Sequence, residues 1–230
     1  MRVVMVSCWK YRDAWKPFIE LFNRFWPDCP YGLTVATDEL SGDDFPEIDN
    51  NQPRICRTVG PGSSWCEIVA TVAKESDEPI LLMQEDFFLN APVQQGVVEK
   101  ALQMVESQKA SMVRLYPCPG AAQDSGDPHF GIIPPGTRYR ISCQASIWEP
   151  IYLRRIAQPF GSPAEFEIDG TAWADHLPDE VFAFKRDVQP WPLNYLCSAI
   201  GRGLWSQDAK RLCDEHNIEV DWSLRGFQPA

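Results

Sequence analysis

The chain has 230 residues, 44% hydrophobic and 23% charged, with 21 basic against 32 acidic side chains and a net charge of −11. A chain this long can bury roughly 70–75% of its unfolded surface, so a core needs no disulfide or metal staples and a single domain is expected. The acidic excess is spread over both halves, which argues against nucleic acid or an anionic membrane surface as partner.

Other absences narrow the class further. No run of 18 apolar residues occurs, so no transmembrane segment is expected. Met1–Val6 passes straight into Ser7 and Lys10, too short for a signal-peptide core, and no small-residue cleavage site follows. No N-x-[ST] sequon is present. The eight cysteines (8, 29, 56, 66, 118, 143, 197 and 213) form no C-x-x-C pair and sit mostly beside apolar residues. That pattern predicts buried reduced thiols and a cytoplasmic location, not a zinc site.

In chain order, Val3–Ser7 reads as a strand covered on both faces. Asp13 to Trp26 reads as a helix, with Trp15, Phe18, Phe22 and Phe25 at spacings of three and four, ended by Pro27. Leu33–Thr37 is a second strand, and 38–53 an acidic loop. Ile55–Val59 is a third strand, closed by Gly60-Pro61-Gly62. Ser64 and Glu67 form a capping box that opens a helix with Ile68, Val69, Val72 and Ala73 inward. Ile80-Leu81-Leu82-Met83 is the most apolar strand and runs directly into Gln84-Glu85-Asp86. A helix over 92–107 and a strand at Met112–Tyr116 follow. This alternation predicts βαβ units and a mainly parallel sheet.

The second half is less regular. Residues 117–137 read as a long Pro/Gly loop, and Tyr139–Trp148 as a strand leading into a helix at Pro150–Ala157. Val181–Phe184 is a short strand, and 206–216 a helix with Ala209, Leu212 and Cys213 inward. The texture changes near 117. It fits one α/β domain with a nucleotide-type half over about 1–116 and an irregular half over about 117–230 that could build a substrate pocket.

Ligands of open parallel sheets bind beyond the C-terminal ends of the strands. Those ends carry Ser7, Trp9, Tyr11 and Arg12, then Thr37 and Asp38, then Gly60 to Trp65, then Gln84, Glu85 and Asp86. Neither G-x-G-x-x-G nor G-x-x-x-x-G-K-[ST] is present, which removes the dinucleotide and P-loop readings. Glu85 and Asp86 close an apolar strand, and a divalent cation is a natural partner for such acids. A second acidic cluster spans Glu165-Phe166-Glu167-Ile168-Asp169. Read as extended chain, it puts its three carboxylates on one face, where one could act as general base. Arg12, Arg138 and Arg140 are candidates for phosphate, and Gln144 for an acceptor. The three histidines form no metal-ligand spacing. The tryptophans of the second half, Trp148 among them, could stack on sugars.

These pieces together resemble the GT-A class of nucleotide-sugar glycosyltransferases, particularly small bacterial enzymes of surface-polysaccharide assembly. The resemblance is carried by Val3–Trp9, Leu33–Asp38, Ile80-Leu81-Leu82-Met83-Gln84-Glu85-Asp86-Phe87-Phe88, Tyr139–Trp148 with Leu153, Ala164-Glu165-Phe166-Glu167 and Ile200–Trp205. It implies an α/β GT-A fold, a mainly parallel sheet sandwiched by helices in one domain. It also implies transfer of a sugar from a nucleoside-diphosphate donor to a hydroxyl of a glycan or related acceptor, with inversion. Ser7, Trp9, Arg12, Thr37, Asp38, Trp65 and Glu85 would meet the donor, and Gln144 and Trp148 the acceptor. Glu165 or Glu167 would be the base, and Asp86 would hold a manganese or magnesium ion. The class carries Asp-any-Asp at the metal motif, whereas this chain has Gln84 at the first position. That departure motivates an alternative, a GT-A-like domain that binds a nucleotide or glycan without chemistry. A nucleotidyltransferase is a third reading, weakened because Ser7–Arg12 contains no glycine.

Overall fold

The computed structural model describes residues 1–40 and 54–229. Its centre is set by strands whose side chains are buried on both faces. β1 (Arg2–Val6) lies between β2 (Leu33–Thr37) and β4 (Ile80–Gln84), and β3 (Arg54–Thr58) flanks β2, all in parallel register. The remaining strands are β5 (Met112–Arg114), β6 (Gln123–Asp124), β7 (Phe130–Ile132), β8 (Ser146–Trp148) and β9 (Val181–Phe184). The described sheet runs β3-β2-β1-β4-β8-β5-β9-β7-β6. All strands but β7 and β8 point one way. β8, from the second half of the chain, is inserted antiparallel between β4 and β5 of the first, so both halves share one sheet.

Strand alternation feeds two cores. Val3 and Met5 of β1 face the layer of α1 (Trp15–Phe25), α3 (Gln95–Glu106) and α6 (Gln207–Glu215). Val4 and Val6 face α2 (Trp65–Lys74), α4 (Pro150–Ala157) and α5 (Pro163–Ala174). The fold is thus the sandwiched, mostly parallel α/β sheet that the sequence predicts. The Ser64–Glu67 capping box forms as expected.

Three expectations are corrected and one element is added. The 117–137 loop carries β6 and β7. The expected strand Tyr139–Trp148 is extended pairing only over β8, because upstream backbone groups bond to side chains. Ile141 N–H donates to Thr171 Oγ1 at 3.0 Å and Cys143 N–H to Glu167 Oε1 at 2.8 Å. The acidic segment 165–169 is not extended but lies in α5, opened by a second capping box, Ser162 with Glu165, and by Pro163 in its first turn. A small hairpin, β10 (Ile200–Gly201) with β11 (Leu204–Trp205), also escaped the pattern. Residues 41–53 of the expected acidic loop 38–53 lie outside the described part of the chain.

Two buried arginines hold the irregular half. Arg140 is 2% exposed and donates to the carbonyls of Ile133, Ala174 and Asp179 at 3.0, 2.8 and 2.7 Å. It therefore cannot meet phosphate; the fork is consumed by backbone. Arg114 is fully buried and donates to the carbonyls of Pro119, Tyr139 and Arg140, and burial lowers its pKa to about 10. Arg140→Met would orphan three carbonyls, at about 1–3 kcal/mol each, so a loss of about 3 kcal/mol or more is expected. A lower urea midpoint at unchanged slope is the readout, and an unmoved midpoint would refute the role.

Candidate functional site

The C-terminal ends of β1, β2 and β4 open into a cavity of about 680 Å³, within the size range of small-ligand sites. Its lining includes Ser7, Asp38, Trp65, Glu85 and Asp86 of the expected donor and metal residues. The turn between β10 and β11 supplies Arg202 and Gly203, and Pro163 brings the start of α5 to the same space.

The other expected donor residues support the lining from behind or stand beside it. Asp38 Oδ1 accepts from the Trp9 N–H at 2.7 Å, the Thr37 hydroxyl at 3.1 Å and the Glu39 N–H at 2.9 Å. Thr37 is fully buried, so it orients Asp38 and has no surface for a ligand. Ser7 Oγ accepts from Trp15 Nε1 at 2.8 Å. Arg12 is exposed and stacks on the Trp9 ring at 4.5 Å.

Glu85 is 9% exposed, and Asp86 is half-buried. Both pKa values are raised, chiefly because burial penalises the charged form; Asp86 adds repulsion at Glu85. Arg225 acts against the shift at Glu85, and hydrogen bonding around Ser198 and the Ile200 backbone acts against it at Asp86. The 196–200 segment is fixed along 86–88 by Ala199 N–H to Asp86 carbonyl at 2.9 Å and Leu196 N–H to Phe88 carbonyl at 3.0 Å. Among the described residues no group of three or more His, Cys, Asp or Glu side chains is gathered for a metal. The donor set at the β4 end is therefore one or two carboxylates. That suits a hard cation whose remaining positions come from ligand oxygens and water.

The second acidic cluster divides. Glu165 is exposed, and its Oε2 accepts from the N–H groups of Gly161 and Ser162 at 3.0 and 2.8 Å, which holds its pKa down. Glu167 is half-buried, with Oε1 on the Cys143 N–H. Asp86 lines the cavity, whereas Glu167 is not among the lining residues and stands behind it against the Cys143 backbone. Gln144 stands there too: its Oε1 accepts from Tyr195 Oη at 2.6 Å, and its Nε2 lies 3.3 Å from Cys197 Sγ. Trp148 does not fit its expected acceptor role. It is fully buried against Tyr152 and Phe166, with no ring face left for a sugar.

The sequence reading missed Lys10 and Arg202 as lining residues. Lys10 had a signal, a base in the segment after β1. Arg202 lies in the Ile200–Trp205 segment that carries the resemblance, but its hairpin is too short for a period that would assign the side chain a place.

No family model and no curated protein matches the chain. Similar solved structures exist. One is S. aureus TarS 1–349 in complex with UDP, 10% identical, with a TM-score of 0.51 over 82% of this chain and 59% of that one. Another is the 2-C-methyl-D-erythritol 4-phosphate cytidylyltransferase from Thermus thermophilus, 11% identical, with a TM-score of 0.52 over 95% and 99%. The chain thus spans about three fifths of the TarS fragment. The likeness is one of fold, and the fold is GT-A-like. Among the described residues no helix is long and apolar enough to cross a membrane.

A raised carboxyl pKa means that the folded state binds the proton more tightly than the unfolded one. Its stability contribution is then present at low pH and is lost as pH climbs above the ordinary glutamate value of 4.5. Glu85→Gln removes that loss. The variant is expected to melt higher than wild type at neutral and alkaline pH, with the gap closing as the buffer is acidified. Parallel melting curves at every pH would contradict the buried-charge account.

Proposed function

We propose that the chain transfers a sugar from a nucleoside-diphosphate donor to a hydroxyl of a glycan or related acceptor, with inversion. The observation that carries this reading is the carboxylate pair at the end of β4, lining a nucleotide-sized cavity that also holds two cations, Lys10 and Arg202. The nucleoside lies against Ser7, Asp38 and Trp65, and the diphosphate between Asp86 and the two cations. Glu85 and Asp86 are the residues that would hold magnesium or manganese, which, bound with the diphosphate, supplies Lewis-acid stabilisation of the departing group.

Glu167 is the base. Its Oε1 is oriented by the Cys143 N–H, and the carboxylate takes the acceptor's proton as the hydroxyl oxygen bonds to the anomeric carbon. The bond from that carbon to the diphosphate breaks in line, and the nucleoside diphosphate leaves with its electron pair. Glu165 is committed to capping α5, so it serves the helix. Gln144, tethered by Tyr195, is the acceptor contact.

A panel of nucleoside diphosphates, with and without manganese, is expected to raise the melting temperature for one base, because a ligand of the folded state stabilises it by mass action. With the matching sugar nucleotide, Asp86→Ala and Glu167→Gln are each expected to cut transfer by about 10²-fold or more, the scale of a lost acid–base group. Glu165→Gln lowers the melting temperature slightly and leaves transfer in place. Wild-type rates in both Asp86→Ala and Glu167→Gln overturn the mechanism. Nucleotide binding without transfer over a broad acceptor panel supports the non-catalytic alternative.

The likeness to a cytidylyltransferase favours a second reading, nucleotidyl transfer from a triphosphate to a sugar phosphate. Against it stands the segment Ser7–Arg12, which has no glycine and folds into a 3-10 turn from Trp9. Release of pyrophosphate from a nucleoside triphosphate would select that reading.

A further inference from the structure

Arg225 sits next to the cavity although it lies near the end of the chain. Its side chain is 8% exposed and that of Asp13 is 6%. Nε donates to Asp13 Oδ2 at 2.7 Å, and Nη2 donates to Asp13 Oδ1. Nη2 also donates to the Lys10 carbonyl at 3.0 Å, and Nη1 to the Gly203 carbonyl at 3.4 Å. The guanidinium lies 4.6 Å from the Tyr11 ring centre and 5.5 Å from that of Trp205. One rigid fork therefore ties the segment after β1 to the β10–β11 turn, and both segments line the cavity.

The turn itself is informative. Arg202 and Gly203 both have positive φ, 54° and 81°, the geometry of a two-residue hairpin loop that favours Asn or Gly at its first position. An arginine there is held in an unfavourable backbone conformation and is exposed. Strain of this kind points from the backbone towards a use for the side chain. A buried ion pair is itself weak support for stability and is better attested as a device for fixing position.

We propose that Arg225 is a positioning residue, a clamp that fixes the separation of Lys10 and Arg202 so that the two cations grip one diphosphate group. This rests on the reading of the cavity as a nucleoside-diphosphate site. Arg225 touches no ligand; it acts through the carbonyls of Lys10 and Gly203 and through Asp13.

A double-mutant cycle tests it. Binding of UDP, CDP, GDP, ADP and dTDP is measured by calorimetry for wild type, Arg225→Met, Arg202→Ala and the double variant, beside melting curves of each. For the nucleotide that wild type binds, Arg225→Met is expected to weaken binding about tenfold in the wild-type background and much less in the Arg202→Ala background, the signature of coupled residues. Arg225→Lys keeps the charge but loses the fork, and is expected to weaken binding as well. If Arg225→Met fails to fold, Arg225→Lys and Asp13→Asn complete the same cycle. Equal loss in both backgrounds, or a lower melting temperature with unchanged affinity, makes Arg225 a stabilising residue only and overturns the clamp while leaving the nucleotide reading intact. If wild type binds none of the five, the nucleotide reading fails and the clamp falls with it.

Discussion

Two adjacent acids at the end of a buried strand are the constraint around which this site is built. β4 runs fully buried from Ile80 to Met83 and then exposes Gln84, Glu85 and Asp86 to a cavity. Carboxylates taken from water this abruptly are costly to ionise unless solvent, a cation or a ligand reaches them. The surroundings answer that demand in part. Arg225 opposes the charge of Glu85, the segment around Ser198 and Ile200 bonds to Asp86, and Lys10 and Arg202 stand on the same lining. What remains unmet is the basis for reading the cavity as a place for a cation shared with an anionic ligand.

The second dependency is how an irregular 117–200 region is kept in register with the sheet. β8 is threaded between β4 and β5, and its approach segment makes few strand bonds. Arg114 and Arg140 replace the missing ladder by collecting carbonyls from loops on either side. Thr171 and Glu167 do the same for two N–H groups from α5. The carboxylate assigned as base is thus oriented by the backbone that carries Gln144. The proposed acceptor-side chemistry would therefore share its hydrogen bonds with the fold.

At about one tenth identity, the likeness to a UDP complex and to a cytidylyltransferase fixes the fold and leaves the reaction to the side chains. The proposed role of Glu167 rests on this chain's own hydrogen bonds: Glu165 is tied into a cap, whereas Glu167 is held by the Cys143 N–H next to Gln144.

Much of this was readable from residue order alone. Continuous apolar runs such as Val3–Val6 and Ile80–Met83 have one physical solution, a strand covered on both faces, and the Ser64–Glu67 box has one as well. Strand ends therefore place Ser7, Asp38, Glu85 and Asp86 at one edge. The same box at Ser162–Glu165 was overshadowed by an alternating Glu-Phe-Glu-Ile pattern that fits a strand equally well over five residues, and only packing against α4 and the sheet decided for helix. Local pattern carries no information on which distant backbone groups lack partners. Arg140 thus looked like a phosphate ligand until the fold showed three carbonyls around it, and Trp148 like a sugar platform until the core closed over it. Arg202 lay inside the Ile200–Trp205 segment of the resemblance but with no role attached, and Arg225 had no local signal, because its contacts come from the last residues of the chain meeting the segment after β1. Sequence set the periodic elements and the edge where ligands gather; tertiary structure alone decided which charges are spent on backbone and which face the cavity, since that depends on contacts between residues far apart in the chain.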